Sequence, residues 1–433
     1  MLPELITQIP GPKSKHLAKE LRTYESHNLT YVSEGFPIFW ERALGSNVWD
    51  VDGNRFLDLN GGFGVATAGF GSSHVVDTFR QQAQELYHGM GDVHPSRLKV
   101  ELCRELSRIT FERWGVGLGK SILGCAGFEA VEAALKTAYM ATGRPGVLAF
   151  HSGYHGLGYG AMVATGMPGF RKPFADQIRS FSEFLDFPRL GGSLQESEFS
   201  KQLEDLHQKT DFGAILVEPI QGRGGEHIPP PWFLPTLRSF ADANNLILIF
   251  DEIYTGFFRT GHWFACDHWQ TIPDIICLGK GLSGSFPISA CIGRTEIMDH
   301  WPVSEGEALH TSTFLGNPMG CALGLASIRH WSEEDWVTKI KTLHQRWVEA
   351  LSPLETLSLV NELRGIGLLF GLEFVEKGLA GRLIEPLLQR GIIALPAGEQ
   401  GDVLSIKPSI THDAEESQFV GATLLEAIED LRA

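Results

Sequence analysis

From about Val75 the chain alternates two hydrophobic patterns. "VVDTFRQQAQELY", "KVELCRELSRIT", "FEAVEAALKTAYMATG" and "WFLPTLRSFADANN" carry apolar residues at helical spacing, whereas "SILGCAG", "GVLAF", "FGAILVEPI", "LILIFDEI" and "DIICLGKGL" are short aliphatic runs. Strands that alternate with helices predict an α/β fold, a large doubly wound and mostly parallel sheet covered on both faces. Two departures flank this region. "VWDVDGNRFLDL" alternates around an Asp-Gly-Asn turn and predicts a hairpin. After roughly residue 325 a long helix ("DWVTKIKTLHQRWVEALSPL"), a strand pair ("VNELRGIGLLFGLEFV") and a terminal helix predict a separate, smaller α+β domain. The first thirty residues and "PRLGGSLQESEFSKQ" are expected to be polar surface segments, and no internal repeat is visible.

Composition narrows the function classes. With 433 residues the chain can bury a large core, and 43% hydrophobic with 20% charged residues is ordinary for a globular protein. A formal charge of -16 argues against nucleic acid or an anionic membrane as the main partner, since both would repel it. No uncharged stretch approaches the ~20 residues needed to span a bilayer, and no apolar signal core opens the chain. The six cysteines form no CxxC pair and no zinc-like cluster, so they are expected to be reduced residues of a cytoplasmic protein with no metal site.

Parallel sheets place ligands beyond the carboxyl ends of their strands. Here those ends carry Asp251 after "LILIF", Glu218 after "AILV" and Lys280 after "DIICLG". The helix in "SILGCAGFEAVEAALKTAYMATGRP" opens on a glycine, so the free N–H groups of Gly127 and Phe128 form either an ordinary strand-to-helix turn or a phosphate cradle. Lys280 is either a solvated loop cation or an amine for Schiff-base chemistry, because enclosure by apolar strand ends weakens its preference for charge. Asp251 is an N-cap, half of an ion pair, or a buried carboxylate that holds a proton on a ring nitrogen. "FHSGYHG" follows a further short strand and offers Tyr154 and His155 as flat groups to stack on a ring. Phosphate cradle, lysine, acid and aromatic together fit pyridoxal phosphate, which needs a Schiff-base lysine and a partner for its pyridine nitrogen.

At these motifs the sequence resembles the class III pyridoxal-phosphate aminotransferases, the family of the ornithine, 4-aminobutyrate and omega-amine transaminases, from about Trp49 to near the C-terminus. "GFEAVEAALK", "YHG", "VEPIQGRGG", "DEIYTGFFRTG", "LGKGLSG" and "HTSTFLGNPMG" occur in the family's order. The resemblance implies fold type I. Its small domain would draw on residues 1–74 and 326–433, its large cofactor-binding domain would span 75–325, and active sites would lie at a homodimer interface. It also implies that Lys280 forms the Schiff base and moves protons, Asp251 holds the pyridinium, and Ala126, Gly127 and Phe128 surround the phosphate. Thr313 would reach that phosphate from the partner chain. Tyr154, His155, Glu218, Ile253 and Tyr254 would complete the cofactor site, and Arg259 would be structural.

Four departures from the family's pattern bear on the cofactor and substrate sites. Phe128 replaces a usual Ser or Thr, Tyr254 a usual Gln, and the family's Glu/Arg gate for a 2-oxo acid is absent, with Arg223 and Ser405 at its two positions. Leu157 stands where some relatives bind an omega-carboxylate with Arg. Arg223 either takes over carboxylate recognition or forms a surface or intersubunit ion pair, and Lys407, two residues past Ser405, is a second candidate. The expected reaction moves an amino group from a primary amine or amino acid to a 2-oxo acid in two half-reactions. An aminomutase, racemase, decarboxylase or phospho-lyase would share Lys280 and Asp251, and a non-catalytic cofactor-binding protein would not need them.

Overall fold

A computed structural model describes residues 1–431. Its contacts divide the chain into two units, Met1–Ser72 with Thr338–Ala433, and Ser73–Val337.

The second unit is built on a seven-stranded sheet. In chain order its strands are β1 (Gly119–Gly124), β2 (Gly146–Phe150), β3 (Ser182–Leu185), β4 (Phe212–Val217), β5 (Ile247–Asp251), β6 (Ile275–Leu278) and β7 (Ser289–Arg294). They lie in the order β1-β7-β6-β5-β4-β2-β3. β7 is antiparallel to both neighbours, and the pairs from β6 to β3 are parallel. Every residue of β2, β4, β5 and β6 is buried, which is why these strands read as unbroken aliphatic runs rather than as alternating ones. Helix α1 (Gly127–Thr142) covers one face through Ala130, Val131, Ala133, Ala134 and Ala138. Such small residues let the helix lie close to the sheet. α1 ends at Gly143, which takes the left-handed conformation (φ 69°) that closes a helix. On the other face Phe233 packs against Phe150, Phe187 and Phe199, with ring centroids 5.3, 5.0 and 5.4 Å apart.

The first unit holds two four-stranded sheets. One contains the expected hairpin, Asn47–Asp50 against Arg55–Asp58, and the other the expected pair Val360–Ile366 and Leu369–Phe374. Its helices include Pro12–Tyr24, Trp336–Leu351 and Ala414–Asp430.

Several polar segments differ from expectation. Residues 12–24 form a helix opened by Pro12 at its first position, where a missing N–H costs nothing. Most of "QESEFSKQ" belongs to the helix Glu196–Lys209, because Phe199 and Leu203, four residues apart, give it a buried stripe that its charged neighbours mask. The unit boundary lies near residue 337 rather than 325. Residue 325 falls inside the helix Pro318–Ser332, whose residues group with Ser73–Val337.

Phe233→Ala should leave the fold intact but cost about 3–5 kcal/mol through the cavity left among the three phenylalanines. A urea melt would show this as a lower midpoint, and an unchanged midpoint would mean that the ring cluster carries no stability.

Candidate active site

The site grows from strand register. Val217 pairs with Phe250 across β4 and β5, so the next residues, Glu218 and Asp251, leave adjacent strand ends side by side. Both are buried. Asp251 is held from two directions: Nδ1–H of buried His155 donates to Oδ2 at 2.8 Å, and the Ile253 amide donates to Oδ1 at 3.2 Å. His155 is itself fixed by its amide, which donates to the buried Thr165 hydroxyl at 3.0 Å. Glu218 accepts from the amides of Tyr154 at 2.9 Å and Gly222 at 3.2 Å. Burial pushes its carboxyl up to about 7, with His155 acting to lower it and Asp251 to raise it further.

Glu252, the other half of the acid pair that ends "LILIF", does something different. It accepts from the Thr255 hydroxyl and from the amides of Ala265 at 2.9 Å and Cys266 at 2.7 Å. It thereby caps the short helix Ala265–Trp269.

Lys280 follows β6 with a left-handed backbone (φ 42°), an outlier for a residue with a long side chain and the kind of local strain found at functional positions. Its Nζ lies 3.9 Å from the centroid of the Tyr254 ring. The Tyr254 hydroxyl reaches Glu226 Oε1 at 3.4 Å. Ile253 lies beneath two glycines: a Cβ on Gly127 would come within 3.0 Å of its side chain, and one on Gly279 within 3.2 Å. Ile253 thus draws the opening of α1 and the turn before Lys280 together.

At the start of α1, Glu129 reaches back to accept from the amides of Cys125 (2.5 Å) and Ala126 (3.3 Å). Helix geometry leaves the first-turn N–H groups of Gly127 and Phe128 to outside partners. The Phe128 side chain packs among the core residues around α1, and a Cβ on Gly158 would lie only 2.4 Å from its ring. Replacing Ser or Thr there therefore alters packing and spares the backbone donors.

Arg223 is exposed, its guanidinium carbon 5.0 Å from the ring centroids of both Tyr154 and Phe170. Thr313 lies on an exposed stretch with Val303, Leu309 and Phe314, and Leu157 is also exposed. Arg259 is fully buried, as a structural residue should be. Ser405 and Lys407 belong to the other unit, where both are buried and the lysine amine donates to the Ser405 hydroxyl. Burial raises the Asp58 carboxyl, and the charge of nearby Lys407 in the same unit acts to lower it. Glu226 and Phe170 escaped the sequence reading. "QGRGG" did carry a signal, since paired glycines flank Arg223, but "GMPGFRKPF" has no periodicity to single out Phe170.

A buried carboxylate oriented by an imidazole, a lysine on a strained strand-end turn and a helix opening gathered at one sheet edge suit a phosphorylated, ring-bearing aldehyde cofactor. Gly127 and Gly279 let the opening of α1 and the turn before Lys280 approach each other over Ile253. Residues 30–428 match the family described as aminotransferase class-III, and the chain belongs to it. It is a pyridoxal-phosphate-dependent aminotransferase of fold type I. The chain is 34% identical to the 4-aminobutyrate aminotransferase of Mycobacterium leprae over 94% of each sequence. It is also 34% identical to the acetylornithine aminotransferase of Methanopyrus kandleri, over 91% of this chain and 95% of that one. Among solved structures, an amine transaminase from an uncultivated Pseudomonas species in its pyridoxal-phosphate-bound form superposes with a TM-score of 0.85 at 26% identity. That match covers 94% of this chain and 98% of the other.

Two measurements test the buried glutamates Glu218 and Glu252. Glu218 ordinarily titrates near 4.5 and is raised to about 7 in the folded chain, so the fold binds its proton more tightly. That contribution to stability is present below about 4.5 and is lost as pH rises to about 7. The cofactor-free protein should accordingly lose less stability between pH 5 and 7.5 when Glu218 is replaced by Gln, read as the shift in urea midpoint. Glu252→Gln should cost about 1–3 kcal/mol, because an amide NH2 would face N–H donors that now meet a carboxylate. A Glu252→Gln protein as stable as the wild type would show that the cap carries nothing.

Proposed function

We propose that the residues at this sheet edge carry amino transfer between a primary amine or amino acid and a 2-oxo acid, with Lys280 and Asp251 as the catalytic pair. The observation that carries the reading is the juxtaposition of Asp251, His155 and Glu218 at adjacent strand ends. Lys280 would hold the cofactor through its side-chain amine. Asp251, oriented by His155, holds a proton on the ring nitrogen. Ala126, Gly127 and Phe128 would hold the phosphate, the latter two through their amides, and Tyr154, Ile253, Tyr254 and Glu218 would complete the cofactor site. When bound, pyridoxal phosphate supplies the electron sink for the donor's amine-bearing carbon. With the cofactor in place, the Lys280 amine would be the base that takes the proton from that carbon and the acid that returns it. A 2-oxo acid then accepts the amino group in the second half-reaction, its carboxylate taken by Arg223.

A homodimer accompanies this reading. Thr313 would complete the phosphate site of a second copy, which is supported by the exposure of Val303 (91%), Leu309 (67%) and Phe314 (57%) around it. A cytoplasmic location fits the six free cysteines, four of them buried. Among the described residues no helix is long and apolar enough to cross a membrane.

Lys280→Ala and Asp251→Asn should each slow the first half-reaction by about a thousandfold or more. Absorbance of the purified protein mixed with a panel of amines and amino acids follows that step directly. Wild-type turnover by Lys280→Ala would sink the assignment, and amine consumption without net transfer to any 2-oxo acid would favour a lyase or racemase. Gel filtration with light scattering should report a dimer.

A further inference from the structure

We propose that Arg223 is a fixed carboxylate anchor, that Phe170 is its positioning residue, and that donor and acceptor must therefore both carry a carboxylate. The inference rests on the aminotransfer reading above and names the substrate class that reading leaves open.

The backbone around Arg223 has almost no freedom. Beyond β4 the chain folds back on itself: Gln221 and His227 exchange main-chain hydrogen bonds of 3.1 and 2.9 Å, and the amides of Gly225 and Glu226 both donate to the Gly222 carbonyl at 3.0 Å. The Gln221 side chain ties the turn to the His151 carbonyl at 2.7 Å. Both flanking glycines are wedged. A Cβ on Gly222 would lie 2.5 Å from the Tyr254 ring, and one on Gly224 would lie 2.5 Å from the Ser152 carbonyl oxygen. The turn is also bonded to the strand-end acids, since Glu218 accepts from the amides of both Gly222 and Tyr154.

The side chain is exposed and lies against two rings. Its guanidinium carbon stands 5.0 Å from the Tyr154 and Phe170 ring centroids, and these rings brace each other edge to face at 5.7 Å. Contacts of this kind engage the cation's charge and face and leave its in-plane N–H groups to pair. Among the described residues no carboxylate forms an ion pair with Arg223. A planar cation fixed by two rings, with its N–H edge unspent, suits bidentate pairing with a carboxylate. It has no internal acid to retire to, so an amine without a carboxylate leaves it unpaired. Because the anchor is fixed, donor and acceptor should present their carboxylates at the same distance from the reacting carbon.

The test uses the holoenzyme and two readouts. The first is single-turnover kcat/KM for donor pairs that differ only in the carboxylate, alanine against ethylamine and 4-aminobutanoate against propylamine. The second is calorimetric binding of propanoate, which cannot react. The wild type should prefer the carboxylate-bearing member of at least one pair by about a hundredfold or more, as expected where a polar site meets an analogue lacking its partner. Arg223→Met should shrink that ratio and weaken propanoate by about tenfold or more. Phe170→Leu should raise KM for carboxylate-bearing substrates several-fold with little change in kcat, and Phe170→Tyr should restore it. An Arg223→Met protein that keeps both the ratio and the propanoate affinity overturns the anchor. Loss of kcat in Phe170→Leu with propanoate affinity intact removes Phe170 from the role. A wild type that transfers no amino group while still binding propanoate through Arg223 would instead refute the aminotransfer reading and leave the anchor standing.

Discussion

Two carboxylates forced side by side in a dry environment set the terms for the rest of this structure. Parallel pairing of β4 with β5 leaves Glu218 and Asp251 no choice of neighbour. The structure meets that repulsion with local donors rather than with an arginine. His155 stands against Asp251, and the amides of Tyr154 and Gly222 stand against Glu218. Since those donors sit on the turns after β2 and β4, the charge problem at the strand ends also determines how both turns are shaped. Electrostatics and local backbone geometry are here one problem with one solution.

A second consequence concerns how tasks are separated. Residues assigned to the cofactor lie at the ends of β2, β4, β5 and β6 and at the opening of α1, and Ile253 joins two of these places through contacts that only glycine permits. The cation assigned to the substrate lies on a turn that begins after β4 has ended. The strand-end residues and the turn that carries Arg223 are different pieces of backbone, linked through Glu218 and through Tyr254 against Gly222.

Much of this was legible in the sequence because burial on both faces leaves a plain mark. The runs "GVLAF", "AILV", "LILIF" and "IICL" are strands, and each ends near a residue of the site. The nature of Glu252 was legible only in outline, since a pair of adjacent acids does not say which of them caps a helix thirteen residues later. Phe199 and Leu203 were hidden by the glutamates and lysines between them, and Pro12–Tyr24 by its polarity. Phe170 and Glu226 act through contacts that join distant parts of the chain, and no local pattern encodes those. The alternation of Ser405 and Lys407 predicts a shared side, and both are buried there with the lysine amine on the Ser405 hydroxyl.

The left-handed backbone at Lys280 has an implication for motion. Strain of this kind resides in the main chain, at the junction of β6 and the short turn Lys280–Leu282. The four-carbon arm is then a tether on a stiff pivot. Its travel is limited to its own rotors, with the Tyr254 ring as a resting place for the ammonium group when the tether is slack.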